Sequence, residues 1–547
     1  MVGTMHTGRA AEAVSARARV FSGQAVQLRL DVIAIVLLSL ALATVSFLIQ
    51  GDIGLDLGDE GHVWYATTRT ALGDVPLRDF RSYDPGRYYW GAAWFKVLGP
   101  GIISLRVGMT IMQALGLVFG LLTLRRVVRS WWLLVILAVL LLTWMLPIFK
   151  AFESATVLGL VWLAVRLLEA PTPARHFTAG VGIGLAAFIR LDHGLYGATA
   201  FFLLLLFRAA RSRTVPARDA GVFAVGMVVG YAPMLIMLVA VPGFFGGLVE
   251  HLAFFVRITT WNGTPNLGKP VPWPWLAGAG STLLENLYSV CVGLLFIAVP
   301  VLYLAAAVIV LRRSGDDDTP GRRLVLAAGA VGVMYAHYTF ARPDLEHLAQ
   351  SINPLIILGA GLLATLAGRR RVIALALVLP LVVTVSALTA GVKSRVYRWA
   401  AETDAPYVPT RIADDVLWLH PGVAVFLETV RRTADDLVAP GERILIAPHW
   451  PALYAMLGRE SPTWEIYFIF PESEERQRRV IGDLQRRNAA VVLLGDLYLD
   501  GRADLHFSKT YPLVYRHVME RYDNVPVPGL PGWAHFFRRK PQAAATP

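Results

Sequence analysis

The chain has 547 residues, 55% of them hydrophobic and 16% charged, with a formal net charge of +12. A soluble globular protein carries about 25% charged residues. The deficit, with repeated apolar runs near the ~20 residues that cross a bilayer, excludes a soluble enzyme and points to a polytopic helical membrane protein. The positive excess sits in short links between apolar runs, which argues against nucleic acid as a partner; the single cysteine, Cys291, excludes an intrachain disulfide and a cysteine-based metal site.

In chain order, residues 1–30 form a polar, basic tail with Arg9, Arg17, Arg19 and Arg29. It is too long for an ordinary signal peptide, so the first apolar run is expected to be a retained anchor. Eleven apolar segments follow, at about 31–50, 103–124, 131–147, 153–168, 177–190, 194–208, 219–241, 286–311, 324–341, 352–367 and 372–392. The links alternate in character. One set is basic: Arg125 to Arg129, Arg166 to Arg175, Arg208 to Arg218, Arg312 to Arg323, and Arg369 to Arg371. The other is rich in acids, aromatics, Gly and Pro. The positive-inside rule places the basic set and the N-terminus in the cytoplasm, and the C-terminal region outside. The segments at 177–190 and 194–208 reach only roughly 21 Å each at about 1.5 Å per residue. A single broken helix there would send later basic links outside, so the charge pattern favours a hairpin.

With that topology the polar residues near membrane depth collect on the outer side. They are Asp59 and Glu60, Lys150 and Glu153, Arg190, Asp192 and His193, Glu250, His251 and Arg257, then Arg342, Asp344, Glu346 and His347. Ionisable residues at membrane depth mark functional sites by default. Their convergence predicts a cavity open to the outer leaflet. The first outer loop, 51–102, carries seven acids against five Lys and Arg, with Trp64, Tyr65, Phe80, Tyr83, Tyr88, Tyr89, Trp90 and Trp94. Aromatic faces stack on sugar rings and carboxylates bind hydroxyls; an interfacial aromatic belt is the structural alternative.

This loop resembles that of the GT-C glycosyltransferases, and most closely the protein O-mannosyltransferase-like and lipid A aminoarabinose transferase-like group. The resemblance rests on Gly58-Asp59-Glu60-Gly61, Tyr65, Leu72-Gly73-Asp74-Val75-Pro76 and Tyr83-Asp84-Pro85-Gly86-Arg87-Tyr88-Tyr89. It implies a polyprenyl-phosphate-linked sugar donor, an outer-face reaction, and Asp59 as the catalytic base. A carboxylate within hydrogen-bond reach can take the proton that an acceptor hydroxyl loses on attack. Direct displacement of the lipid phosphate inverts the anomeric carbon. Glu60, about 100° around a helix from Asp59, would orient the base, bind a sugar hydroxyl or pair with a cation.

The remaining clusters suit the donor. Lys150 at the second outer turn can pair with a phosphate, or snorkel beside Glu153. Arg190, Asp192 and His193 need each other or a ligand, as an ion pair or as a phosphate and sugar site. Arg342, Asp344 and His347 form an Arg-x-Asp-x-x-His cluster with Asp344 and His347 on one helical face. That spacing suits a phosphate-plus-hydroxyl ligand or one divalent cation, for which a third ligand is lacking. Tyr83 and Tyr88 are further donor-binding candidates. The outer loop 243–285 holds Arg257, Trp261, Asn262, Lys269 and a Pro/Trp run suited to an interfacial lid.

Residues 393–547 change character. ERILIAP, AAVVLLGD and AHFFRRK predict strands, and SEERQRRVIGDLQRRN an amphipathic helix with Val480, Ile481 and Leu484 on one face. A small extracytoplasmic α/β domain follows, which binds the acceptor or stabilises the rest. His449, Trp450, Tyr454, Glu465 and Tyr467 have no phosphate-loop motif beside them, which argues against nucleotide chemistry. The expected protein is a multi-pass enzyme of the cytoplasmic membrane, with about eleven helices in a GT-C-like core at 31–392. Its expected partners are the bilayer, a polyprenyl-phosphate sugar, and a glycan, lipid or protein acceptor. The alternatives are a lipid-linked sugar flippase, which predicts paired half-helices in both halves of the chain, and an envelope-assembly scaffold.

Overall fold

The computed structural model describes residues 5–212, 217–259, 270–276, 280, 282–312 and 318–541. Every predicted apolar segment lies in a helix. The helices are α1 (Met5–Gln50), α2 (Asp59–Ala71), α3 (Gly86–Leu98), α4 (Ile102–Leu124), α5 (Trp131–Thr143) and α6 (Ala151–Glu169). Next come α7 (Pro173–Ile189), α8 (Leu191–Ser212), α9 (Ala217–Ala240), α10 (Phe244–Thr259) and α11 (Leu283–Arg312). The membrane part ends with α12 (Pro320–Ala341), α13 (Leu345–Ser351), α14 (Asn353–Ala364) and α15 (Gly368–Leu388). Among the described residues eight helices are long and apolar enough to cross a membrane, or nine if the pair α13–α14, bent by 52°, is one span. The difference from eleven comes from α5 and α7, of 13 and 17 residues, and from that bend.

The short segments at 177–208 form a hairpin. Gly194 faces Ala187 and Gly197 faces Ile183, so α8 folds back along α7. Arg190, extended at φ −164° and ψ 122°, makes the break. Helix α7 also lies backbone to backbone on α9. A Cβ on Gly180 would stand 2.2 Å from the Phe223 carbonyl oxygen, and one on Gly230 would stand 2.2 Å from that of Val181. Small residues let membrane helices approach this closely. The basic links meet at one end of the bundle: Arg126 and Arg175 both pair with Glu169, and Arg371 donates to the Val127 carbonyl at 3.2 Å. Helix α4 runs from Arg106 to Leu124, away from the Asp59 end and toward that basic end.

The C-terminal part contains two sheets. Strands β1 (Val408–Ile412) and β2 (Asp415–Leu419) form a hairpin that also exchanges backbone bonds with residues 52–54. Strands β3 (Arg443–Ala447), β4 (Ala489–Gly495), β5 (Tyr522–Val525) and β6 (Ala534–Arg539) pair in the order β3-β4-β6-β5, with β3 and β4 parallel. The three predicted strands are β3, β4 and β6, and the predicted amphipathic helix is Glu474–Arg486, with Val480 and Leu484 buried. Strand alternation sorts the sheet's two faces. Leu445, Val492 and Leu494 pack with Val480 and Leu484. Ile444, Ile446, Val491 and Leu493 pack in one core with Val63, Trp64, Tyr65, Phe80, Tyr88 and Leu105. The first loop and the C-terminal part therefore share a hydrophobic core. Four of the loop aromatics expected to stack on sugar, Trp64, Tyr65, Phe80 and Tyr88, are buried there, because their apolar surface is worth more against the sheet than against water.

Candidate active site

Helix α2 opens with Asp59 and Glu60, where carboxylates favour the positive end of the helix dipole. The two diverge. Glu60 is fully buried. Its Oε1 and Oε2 accept from Arg106 at 2.9 Å each, and Oε2 also accepts from Arg395 at 2.8 Å and the Asp56 backbone N–H at 3.2 Å. Arg106 spends its remaining donors on the Gly51 and Gly54 carbonyls, at 2.8 and 2.6 Å. Burial raises the Glu60 pKa, and the two guanidinium groups outweigh it, leaving the carboxyl at about 2. Of the three roles expected for Glu60, pairing with a cation describes its contacts, and it does not line the cavity that Asp59 lines.

Asp59 keeps 42% of its side-chain surface open. Its Oδ2 lies 2.8 Å from Lys150 Nζ, and its Oδ1 accepts from the Tyr467 hydroxyl at 3.1 Å. Burial raises its pKa, but the Lys150 charge and both hydrogen bonds hold the carboxyl well below the usual range. One turn on, burial holds His62 at about 4 and neutral, against the pull of Asp59.

Asp59 lines a cavity of about 160 Å³ between the bundle, the first loop and the C-terminal part. Its charged lining is Asp59 and Glu153 against Arg81, Arg87, Lys150 and Arg190, a surplus of two positive charges. Glu153 links two of the cations: its Oε1 accepts from Arg87 at 3.2 Å and from Arg190 at 3.3 Å. Arg190 also donates to the Tyr338 hydroxyl at 3.1 Å, and both arginines lie near the Tyr83 ring, at 5.0 and 5.3 Å. Buried cations around a small void suit an anion. A larger groove of about 620 Å³ lies between α10 and helix Glu474–Arg486. Its arginines are already tied, Arg78 to Asp79, Arg476 and Arg479 to Glu250, Arg478 to Glu474 and Arg486 to Asp483, and of the polar residues predicted to converge only Glu250 lines it.

Of the predicted residues, Asp59, Tyr83, Lys150, Glu153, Arg190, His251 and His347 line the cavity. Asp192 does not line it and instead pairs with Arg190 at 2.8 Å. His193 lies buried behind it, its Nδ1 2.6 Å from the Tyr335 hydroxyl. Tyr88 is buried and its hydroxyl accepts from the Tyr83 N–H at 3.1 Å. Arg342 reaches Asp500 at 2.8 Å and so ties α12 to the C-terminal part. Asp344 caps α13 and pairs with His347 Nδ1 at 2.8 Å. Among the described residues no three His, Cys, Asp or Glu side chains gather around one point as a metal site would need. The Arg257 side chain, Trp261, Asn262 and Lys269 lie outside the described residues. Sequence reasoning missed His62, Arg81, Arg87 and Tyr338 as lining residues. His62 carried a signal, standing three residues from Asp59 on the same helical face, and Arg87 sits inside the loop pattern.

The architecture is a bundle of membrane-length helices, an acidic first loop folded over one end of it, and a C-terminal α/β part sharing that loop's core. The chain is similar in structure to ArnT from Cupriavidus metallidurans. The apo form aligns at TM-score 0.53 and 14% identity, covering 92% of this chain and 98% of that one. The form bound to undecaprenyl phosphate aligns at 0.55 and 14%, covering 93% and 98%. The apo oligosaccharyltransferase of Archaeoglobus fulgidus aligns at 0.48 and 12%, covering 93% of this chain and 74% of that one. No family model matches the chain. No curated protein matches it in sequence.

Proposed function

We propose that this protein is a GT-C membrane glycosyltransferase that moves a sugar from a polyprenyl-phosphate donor to an acceptor hydroxyl on the outer face of the cytoplasmic membrane. The observation that carries the reading is Asp59, an open carboxylate on the wall of a cavity whose lining is otherwise in cationic excess. The undecaprenyl phosphate held by the structurally similar ArnT supports a lipid phosphate as the anion. The outer-face assignment rests on the basic links at the far end of the bundle.

The chemistry divides between the two charges. The acceptor oxygen attacks the anomeric carbon as the bond from that carbon to the phosphate oxygen breaks. Asp59 takes the acceptor's proton, and the lipid phosphate leaves with the bonding electrons. Lys150, Arg87 and Arg190 balance its charge. A carboxylate clamped by Lys150 is a weak base. An arriving phosphate competes for Lys150, loosens that clamp and returns basicity to Asp59, so donor binding precedes activation of the acceptor. Attack opposite the leaving phosphate inverts the anomeric carbon. The flippase alternative needs matched half-helices, and among the described residues the one bent pair, α13–α14, has no counterpart in the first half.

The test is Asp59→Asn, assayed with the lipid-linked sugar that accumulates in cells lacking the protein. Transfer falls by about 10²–10⁴-fold, the range of general-base contributions, while undecaprenyl phosphate binding and thermal stability persist. Near-normal transfer by this variant would falsify the mechanism.

A further inference from the structure

A segment of the C-terminal part, residues 461–472, lies across the first loop as a strap. It has no regular secondary structure, yet it is fixed along its length. The Ser461 N–H donates to the Tyr65 hydroxyl at 2.8 Å, the Arg81 N–H to the Trp464 carbonyl at 2.7 Å, and Trp464 Nε1 to the Leu77 carbonyl at 3.0 Å. Further on, the Phe468 N–H donates to the Pro448 carbonyl at 3.0 Å. On either side of this last anchor Tyr467, Ile469 and Phe470 line the cavity. The Tyr467 ring packs 5.9 Å from His62 and edge-on to His449 at 6.2 Å, so its direction is set before its hydroxyl reaches Asp59.

We propose that Tyr467 is a positioning residue for Asp59, so that the C-terminal part completes the active site. The inference rests on the reading of Asp59 as base. The two Asp59 oxygens are divided: Oδ2 faces Lys150 and Oδ1 faces Tyr467. A phosphate that draws Lys150 away leaves the Tyr467 hydroxyl to hold the carboxylate's orientation. A neutral donor does this without the full charge that quenches basicity. The hydroxyl keeps its proton and donates it in a hydrogen bond to Asp59, consistent with burial and the Asp59 charge pushing Tyr467 well above the ordinary tyrosine range. Other charged or titratable groups facing Asp59 are His62 on its own helix, Asp56 just before it, and Arg342 at the end of α12.

The experiment compares Tyr467→Phe with Asp59→Asn in the full-length protein, using as donor the lipid-linked sugar extracted from cells lacking it. The phenylalanine ring retains the packing against His62 and His449. The expected result is a fall of about tenfold in kcat, as for loss of one hydrogen bond to a charged group, with donor KM unchanged within about twofold. Asp59 must be ionised to act as base, so activity is present above its pKa and lost as pH falls through it. Removing a hydrogen bond to the carboxylate raises that pKa, so the acid limb of the kcat profile moves to higher pH. A structural role alone would lower the melting temperature and leave the acid limb in place, which overturns the proposal. If Tyr467→Phe matches wild type in kcat and acid limb while Asp59→Asn is dead, the proposal fails and the base assignment stands. If Asp59→Asn is active, both fall together.

Discussion

The two carboxylates that open α2 stand in opposite surroundings. Glu60 lies in a closed region where Arg106, Arg395 and the Asp56 backbone N–H occupy both of its oxygens. Asp59 stands in an open region where one ammonium and one hydroxyl hold it and much of its surface is left for a ligand. The difference separates holding from reacting. A buried carboxylate with every oxygen taken has no lone pair to offer a substrate. The half-open Asp59, held by Lys150 and Tyr467, keeps part of its surface exposed.

Three changes sharpen or break this contrast, beginning with the largest. Exchanging the roles is the first: Asp59→Asn is expected to cost transfer about 10²–10⁴-fold at unchanged melting temperature, whereas Arg106→Met is expected to destabilise the fold by roughly 3–5 kcal/mol, since it leaves Glu60 buried without its main partner. Thermal melting in detergent, read beside the transfer assay, tells the two apart. Equal losses in both assays for both variants would erase the distinction.

Next, Gly61→Leu attacks the seam between the first loop and the C-terminal part. A Cβ on Gly61 meets the Ala452 Cβ and backbone N at 2.5 Å. Overpacking of this kind costs typically about 1–3 kcal/mol. Limited proteolysis should find the C-terminal part released more readily, with transfer falling in parallel. A variant that stays docked and active would show that the seam tolerates strain.

The smallest effect is a pH dependence. Glu60 titrates at about 2 in the fold against an ordinary 4.5. A depressed carboxyl pKa contributes stability that is present above the unfolded value and lost as pH falls through the folded one. Stability should therefore decline from about pH 4.5 toward 2, and Glu60→Gln should flatten that slope while lowering stability at neutral pH. An unchanged slope in Glu60→Gln would remove Glu60 as its source.

Much of this was legible in the sequence. Apolar runs announced each of the predicted helices, and short apolar runs among frequent charges announced β3, β4 and β6. The links read as outer were expected to converge, and Asp59, Lys150, Arg190 and His347 line one cavity. The loop aromatics were misjudged in part. Trp64, Tyr65, Phe80 and Tyr88 look the same in sequence whether they face a sugar or a sheet, and only the docked C-terminal part decides between them.

The sequence by itself determined which segments form apolar helices and where the charges between them lie. Those properties follow from hydropathy and helix period, which act over a few residues. Tertiary structure alone decided what each carboxylate contacts. Tyr467 lies 408 residues from Asp59, and Arg106 and Arg395 lie 46 and 335 residues from Glu60. No local rule couples positions so far apart. Their pairing is settled by the shared core that docks the C-terminal part on the first loop, and by the cost of leaving any buried charge without a partner.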